Sequence, residues 1–536
     1  MKKKLCSFIL AASMTASLGC PAFAEETTEW AQGGEINIAT VSCAGSLAPA
    51  GVAIDMWTEY AKLCTDGLIS YDSEGNIIYE SAESFDVSED GLVYTFHLRE
   101  DAKWSDGSAV TANDFVNTIH RALDPENGGA IYANMLFGIE GAEEYHNGEA
   151  AIEDVKAVAV DDYTLEFDLD APCSYFLKMM TIPVFYPSKE GLATNEDAEW
   201  YKDPAKSLGN GAFCMESYTD GVGYTVVKNP YYYQADKVNL DKINVNFITD
   251  TTALLAGYQT GEMDVVTGLP DYVADDYTEE DGLFIWKMLT SKFILPNLEK
   301  EPLDNELVRE AIALALNRTE ICAAIGNDYI PSVNYVAEYM LSPASDQYFK
   351  DEQEPLFVED EEKAKELLAE AGYPDGEGFP TLTYKYPNSE KDSLLAQGIQ
   401  AQLKEVLNIN IELVGEEDGV WSTDRENGDY DLIRHSWTAD FNDPINYLSL
   451  YVTGASSNYN HVADAAYDEA IANSNATTDQ AERDKFLHEA QNILVSENFY
   501  VIPAVTQVYV CLINPEIQNV TTNDKGEPMY RFAALS

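Results

Sequence analysis

The chain has 536 residues, and 46% of them are hydrophobic, a proportion that fits a globular protein and argues against disorder. Its formal net charge is −61, with 93 acidic and 32 basic side chains. Such a chain repels nucleic acid and anionic membranes, so we expect no nucleic-acid partner. The length is enough for two to four domains with sizeable cores.

The first residues have the pattern of an export signal, which we place at residues 1–24. Three lysines at Lys2–Lys4 precede an apolar run, Leu5–Leu18, that is too short to span a membrane as a stable helix. Ala22–Ala24 is a small-x-small cleavage site. Ser17–Cys20 is similar to a lipobox and would instead leave a lipidated Cys20. Both alternatives put the mature protein outside the cytoplasm, either periplasmic or secreted, or anchored at the cell surface.

Strands and helices alternate along the rest of the chain. Apolar and polar residues alternate, as in a half-buried strand, at Ile36–Ile38, Tyr94–Leu98, Leu165–Leu169, Ile243–Phe247 and Ile409–Leu413. Apolar residues recur at helical spacing at Phe115–Leu123, Leu307–Ala315 and Ala364–Ala371. Thr111 and Asp114 predict a capping box before the first of these helices, and Gly372 and Pro374 end the last. This mixed order predicts α/β or α+β domains.

The cysteines give no metal-binding pattern. Beyond Cys6 and Cys20 there are six, which are widely spaced and include no C-x-x-C: Cys43, Cys64, Cys173, Cys214, Cys322 and Cys511. Export leaves disulfides possible, but we expect scattered buried thiols. We expect no metal site and no cofactor.

The chain has no catalytic signature. It contains no H-E-x-x-H, no G-x-S-x-G and no P-loop, and with 93 acidic residues neighbouring carboxylates are expected by chance. The six histidines are scattered, and we expect His435 on the surface. A secreted hydrolase is therefore the least favoured reading, and we predict that the protein is not an enzyme.

The segment Arg434–Pro444 has the composition of a binding site for a charged ligand. A guanidinium, an indole and a carboxylate fall within seven residues, at Arg434, Trp437 and Asp440. The carboxylate could receive a ligand ammonium, and the tryptophan could wall the same pocket. The alternative is an aspartate that caps a helix beside a core tryptophan.

This segment resembles the W-x-A-D-[FY]-x-[DE]-P signature of bacterial extracytoplasmic oligopeptide-binding proteins, solute-binding protein family 5. Further blocks resemble the family in the right order: Tyr94–Gly107, Gly209–Phe213, Lys228–Tyr232, Tyr258–Asp264, Val308–Ile312 and Ala369–Pro374. Together they cover nearly the whole mature chain.

The resemblance implies an α/β, periplasmic-binding-protein-like fold of class II, with two main lobes, a hinge and an inserted third domain. Domain I would comprise 25–66, 187–290 and 506–536. Domain II, the insertion, would be 67–186, and domain III would be 291–505. Two chain crossings between the main lobes would form the hinge, and the ligand would lie in the cleft between them.

The resemblance also implies a function and a set of site residues. The protein would capture oligopeptides and deliver them to an ABC permease in the membrane, acting as a monomer. Asp440 would hold the α-amino group of the peptide, with Trp437 beside it. Arg434 and Arg425 match a family spacing in which arginines receive ligand carboxylates; alternatively, they pair with a nearby aspartate such as Asp429 or Asp431.

Two further elements complete the implied site. Tyr132 matches a tyrosine that lines the cleft, and the loop from Ala53 to Asp55 would offer backbone partners to the ligand. The same fold in related proteins binds nickel chelates, haem, sugars or opines. A non-peptide solute such as an oligosaccharide therefore stays open as the alternative ligand.

Overall fold

The structure is a computed structural model that describes residues 30–40, 59–126, 132–189, 191–192, 200–269 and 272–536. The signal segment with Cys20, the loop from Ala53 to Asp55, and Cys43 lie outside these described residues.

Fourteen α-helices occur in the described residues, and they are numbered here in chain order. They are α1 Glu59–Cys64, α2 Ala112–Leu123, α3 Ala142–His146, α4 Phe176–Met179, α5 Thr251–Gln259, α6 Val273–Asp276, α7 Glu306–Leu314, α8 Arg318–Ile325, α9 Glu361–Glu370, α10 Glu390–Leu407, α11 Asp418–Asn427, α12 Ile445–Leu448, α13 Ala465–Ala476 and α14 Gln480–Asn492. Among the described residues, none of these helices combines the length and the apolar composition that a membrane crossing requires.

The strands of the described residues are numbered in the same way. They are β1 Glu35–Thr40, β2 Ile69–Tyr71, β3 Ile77–Tyr79, β4 Ala82–Val87, β5 Val93–Leu98, β6 Ala157–Asp161, β7 Thr164–Asp168, β8 Phe213–Thr219, β9 Gly223–Lys228, β10 Lys242–Phe247, β11 Val265–Thr267, β12 Leu283–Pro296, β13 Tyr329–Pro331, β14 Leu382–Pro387, β15 Ile411–Glu416, β16 Leu432–Thr438, β17 Ile502–Ile513, β18 Ile517–Gln518, β19 Thr521–Thr522, β20 Pro528–Met529 and β21 Ala534–Leu535.

These elements confirm the main predictions from the sequence. Each predicted strand and helix is present, with ends that differ by one or two residues. β7 ends one residue before Leu169, β15 begins two residues after Ile409, and α7 and α9 end one residue before Ala315 and Ala371. Asp114 accepts a hydrogen bond from the backbone nitrogen of Thr111, at 2.9 Å, at the start of α2. Helices and strands alternate with parallel and antiparallel pairing, which confirms the α/β class.

The largest sheet has eleven strands. Ten follow the order β15-β14-β16-β12-β17-β11-β1-β10-β9-β8, and β13 pairs with β17 off this path. A separate four-stranded sheet, β4-β5-β7-β6, lies within the insertion. The Asp440 segment follows β16, so it leaves the large sheet at the third of the ten ordered strands.

Two long strands connect the two halves of the large sheet. β12 and β17 have 14 and 12 residues and pair with each other in antiparallel fashion. Their pairing changes register between Trp286 and Thr290. On one side of this break β17 pairs with β11, and on the other side β12 pairs with β16. A bulge of this kind bends and twists a strand pair, and the predicted hinge would fall here.

The buried side chains form several cores. One contains only residues from Ile294 to Val505, and another joins residues 36–265 to the C-terminal segment 517–533. The largest combines residues 68–185 of the insertion with residues 289–501. The insertion therefore packs against the region that carries Asp440. The domain boundaries themselves stay a prediction.

Candidate ligand-binding site

Asp440 lies in a short buried segment between β16 and α12. The strand ends at Thr438 and the helix begins after Pro444, because the fixed backbone angle of proline suits a helix start. Asp440 is only 8% exposed. The carboxylate is therefore largely removed from water, so its state depends on the hydrogen-bond donors and charges around it.

The partners of the Asp440 carboxylate are neutral. The Tyr132 hydroxyl donates to Oδ1 at 2.9 Å, and Asn446 Nδ2 donates to Oδ2 at 3.5 Å. The indole Nε1 of Trp437 donates to Asn446 Oδ1 at 2.8 Å, so it joins the same network. Burial raises the pKa of Asp440, against the smaller effects of the two hydrogen bonds and of the charge of Lys525. Among the described residues, no cation forms an ion pair with this carboxylate.

The helix-capping alternative for Asp440 is wrong. The carboxylate that accepts from the first turn of α12 belongs to Asp443, with Ile445 N at 3.0 Å. Asp443 is also bound at both oxygens by the Arg483 guanidinium, at 2.7 and 2.8 Å. This buried ion pair fixes the loop and leaves Asp440 without a structural task at the helix end.

The two arginines of the predicted site lie in a second group. Arg434 Nη2 pairs with Asp392 at 2.5 Å, and Lys292 Nζ pairs with the other oxygen of Asp392 at 3.0 Å. Burial opposes the ionisation of Asp392, but the charges of Arg434 and Lys292 outweigh it and hold its pKa below the ordinary value. The expected pairing of Arg434 with an aspartate is thus present, but the partner is Asp392 rather than Asp429 or Asp431.

Arg425 lies farther from its nearest carboxylate than Arg434 does. Its guanidinium lies over the rings of Trp421 and Tyr459, at 4.7 and 4.2 Å, and its nearest carboxylate is Glu426 at 3.8 Å.

His435, which we expected on the surface, is buried. Burial and the charge of Arg425 lower the pKa of the His435 imidazole well below the ordinary value, so this ring is neutral at neutral pH.

The structure thus brings together Asp440, Trp437 and Tyr132 and leaves Arg425 and Arg434 in a separate group. Successive side chains of a strand point to opposite faces, so Arg434 and Trp437, three positions apart on β16, face opposite sides of the sheet. Asn446 was missed from the sequence. It lies six residues after Asp440, in the first turn of α12, and no motif distinguishes it there.

A cavity of about 300 Å³ adjoins the Asp440 network. Trp437 and Asn446 line it on one side, and residues of the insertion between 134 and 179 line it on the other. The candidate site therefore has a polar end at Asp440 and a largely apolar recess beside it.

One group of side chains could hold a metal. One ligand atom from each of Glu352, Asp484 and His488 lies within 4.8 Å of the others. His488 Nε2 lies 3.3 Å from Asp484 Oδ2, a distance that an ordinary ion pair also gives. This group shares no residue with the Asp440 network or its cavity.

The large mixed sheet, with its two halves joined by the paired long strands β12 and β17, fits the class II periplasmic-binding fold. Residues 76–459 match the family model described as bacterial extracellular solute-binding proteins, family 5 middle. The chain belongs to this family, which confirms the resemblance of its motifs.

Two relatives illustrate the similarity in sequence. The dipeptide-binding protein DppE of Bacillus subtilis is 30% identical over 447 residues, covering 83% of this chain and 81% of that protein. The periplasmic oligopeptide-binding protein OppA of Escherichia coli is 28% identical over 474 residues, covering 87% and 86%.

Two solved structures are similar in fold. Listeria monocytogenes OppA bound to peptide has a TM-score of 0.74 and 26% identity, covering 94% of this chain and 99% of that one. The unliganded open form of the murein tripeptide-binding protein MppA has a TM-score of 0.80 and 24% identity, covering 94% and 98%.

Proposed function

We propose that this protein captures oligopeptides in the cleft beside Asp440 and delivers them to an ABC permease. Membership of a solute-binding family supports a binding role rather than catalysis. The names of its relatives, which bind dipeptides and oligopeptides, support a peptide as the solute. We also propose that it acts outside the cytoplasm as a monomer, released after Ala24 or tethered through Cys20.

The observation that carries the proposal is the state of the Asp440 carboxylate. It is buried, two neutral groups donate to it, and no cation of the described residues pairs with it. A buried carboxylate without a counter-charge is costly, and a ligand ammonium would remove that cost. The α-amino group is a feature that every unmodified peptide carries.

The other site residues take roles that their contacts permit. Trp437 would line one side of the space around the ammonium, and Tyr132, which belongs to the insertion, would line the other side. Arg425 suits a ligand carboxylate better than Arg434, because Arg434 is already paired with Asp392. The loop from Ala53 to Asp55 would pair with the ligand backbone, in the way that an added strand does.

The test is binding of tri-alanine and of N-acetyl-tri-alanine, measured by calorimetry on protein first unfolded and refolded to remove copurified ligand. The acetylated peptide keeps the backbone and the carboxylate but lacks the ammonium. We expect it to bind at least 30-fold more weakly, because about 1.4 kcal/mol corresponds to a tenfold change. Equal affinity for both peptides, or tight binding of a maltooligosaccharide instead, would overturn the proposal.

A further inference from the structure

The cavity beside Asp440 has a composition that limits what the ligand can place in it. We propose that it receives a large apolar side chain, aromatic or aliphatic, from one of the first two residues of the bound peptide. The inference rests on the proposed function, because it takes the ammonium of a peptide at Asp440 as its reference point. It adds a preference among peptides.

Asn446 connects the cavity to Asp440. This residue lines the cavity, and it also forms hydrogen bonds with Asp440, from its Nδ2 to Oδ2 and from the Asp440 backbone nitrogen to its Oδ1 at 3.3 Å. Only one residue thus separates the carboxylate from the recess. Since an extended peptide advances about 3.3 Å per residue, the side chains within reach are those nearest its amino end.

The walls of the cavity are apolar on both sides. Met135 and Phe176 contribute from the insertion, and Ile445 and Leu450 contribute from the region that follows Asp440. The polar members of the lining are neutral, and none of the described lining residues carries a charge. A charged ligand side chain would lose its hydration there without meeting a counter-charge.

Two stacked rings line the recess. Tyr175 and Phe441 lie 5.8 Å apart with an angle of 3° between their planes, one from the insertion and one from the Asp440 segment. Arg483 lies 5.3 Å from the Tyr175 ring, but both oxygens of Asp443 already bind its guanidinium. This cation is therefore neutralised, and it gives an acidic ligand side chain no partner.

The size of the cavity fits a large side chain. An apolar cavity of about 150 Å³ in another protein is enough to bind benzene. The cavity of about 300 Å³ here has room for a phenyl or indole group. Burial of such a group strengthens binding by about tenfold or more relative to a methyl group.

The experiment compares tri-alanine with tripeptides that carry Phe, Lys or Glu at one position at a time, by calorimetry on the full chain. We expect Phe at position one or two to bind at least tenfold more tightly than tri-alanine. Lys and Glu at that position should bind more weakly than tri-alanine. Equal affinities across the set, or a gain only at position three, would overturn the inference.

Gly138 offers a way to fill the cavity. It lines the recess, and a Cβ added there would meet no atom within 4 Å. Gly138→Leu should abolish the gain from Phe, so that the Phe peptide binds this variant no more tightly than tri-alanine does. Gly419→Leu is the matched control, because a Cβ there also meets no atom within 4 Å and Gly419 does not line the cavity. It should keep the full preference for Phe.

A second variant adds a charge instead of volume. Ser449 lines the cavity, and Ser449→Asp should reverse the preference, so that the Lys peptide binds about tenfold more tightly than the Phe peptide. Preference for Phe that survives in both folded variants would contradict the inference. Two failures remain distinct: indifference to N-acetylation overturns the proposed function, whereas sensitivity to it without any gain from Phe overturns only the apolar preference.

Discussion

Two buried aspartates on either side of one strand differ in how their charge is balanced. Asp392, at the start of α10, is 4% exposed and lies between Arg434 and Lys292. Asp440, just beyond β16, is 8% exposed and has only neutral hydrogen-bond donors, from Tyr132 and Asn446. The pKa of Asp392 is lowered, and the pKa of Asp440 is raised.

We propose that the difference separates a structural carboxylate, Asp392, from a binding carboxylate, Asp440. Asp392 is neutralised within the protein, so the removal of its charge harms the fold. The charge of Asp440 has no ion-pair partner among the described residues and feels only the smaller effect of Lys525. On this proposal, the removal of its charge harms binding and spares the fold. The five predictions below test this contrast.

The largest expected effect is on stability, from Asp392→Asn. The variant leaves two cations, Arg434 and Lys292, buried without a counter-charge, and such a loss costs about 3–5 kcal/mol. Urea unfolding monitored by fluorescence should show a clearly lower midpoint. Asp101→Asn is the control, because it breaks a pair with Arg99 in which the carboxylate is 63% exposed, and it should cost at most about 1 kcal/mol. Similar midpoints for the two variants would contradict the structural role.

The next effect is on affinity, from Asp440→Asn. The variant keeps the shape but deletes the charge, and the ligand ammonium then lies buried and unpaired, at a cost of roughly 2–5 kcal/mol. Tri-alanine should bind about 30-fold more weakly or worse, whereas the urea midpoint should stay the same or rise. Because the variant and N-acetylation remove the same pair, their losses should not add fully. A fall in stability without a loss of affinity would make Asp440 a structural residue.

The sequence indicated one of these two aspartates and could not indicate the other. Asp440, Trp437 and the strand before them form one local motif, and the binding role that this motif predicts for Asp440 stays a prediction. Asp392 on α10 meets Arg434 on β16 only in the folded chain, since the two residues are 42 positions apart. Local patterns carry no information on such a contact.

The same limit applies to the rest of the site. Tyr132 and Asp440 are 308 positions apart, and Tyr132 was found only through the family resemblance. The cavity combines side chains of the insertion with side chains that follow β16, so its volume and its apolar lining depend on how the two regions pack. Strands and helices were predictable because their periodicity is local.

A smaller effect should appear as a pH dependence of binding. An ammonium requires the ionised form of Asp440, and burial has raised the pKa of this group above its ordinary value of about 3.9. As the pH falls through that raised pKa, tri-alanine affinity should fall, approaching tenfold per pH unit. The affinity of Asp440→Asn should stay flat. Calorimetry between pH 7 and pH 4 measures both, and parallel curves would contradict the assignment.

Stability should respond to pH in opposite senses at the two aspartates. The lowered pKa of Asp392 stabilises the fold above the unfolded value of about 3.9, and this is lost as the pH falls through the folded pKa. The raised pKa of Asp440 contributes stability below about pH 3.9 that is lost as the pH rises through the folded pKa. The cost of Asp392→Asn should therefore shrink in acid, and any stability gain from Asp440→Asn should be confined to higher pH.

The smallest effect is expected from Tyr132→Phe. The variant removes the hydroxyl that donates to Asp440 Oδ1 at 2.9 Å, and a hydrogen bond to a charged group contributes about 1.5–3 kcal/mol, part of which the arriving ammonium replaces. We expect tri-alanine to bind about 3- to 10-fold more weakly. The onset of the pH dependence should also move to higher pH, because the hydrogen bond from Tyr132 lowers the pKa of Asp440 and its loss leaves burial less opposed.

Tyr94→Phe is the matched control for Tyr132→Phe, since the Tyr94 hydroxyl donates to the Cys173 carbonyl and does not contact Asp440. A weaker affinity in Tyr132→Phe without any shift of the pH profile would mean that Tyr132 contacts the ligand directly and does not act through Asp440.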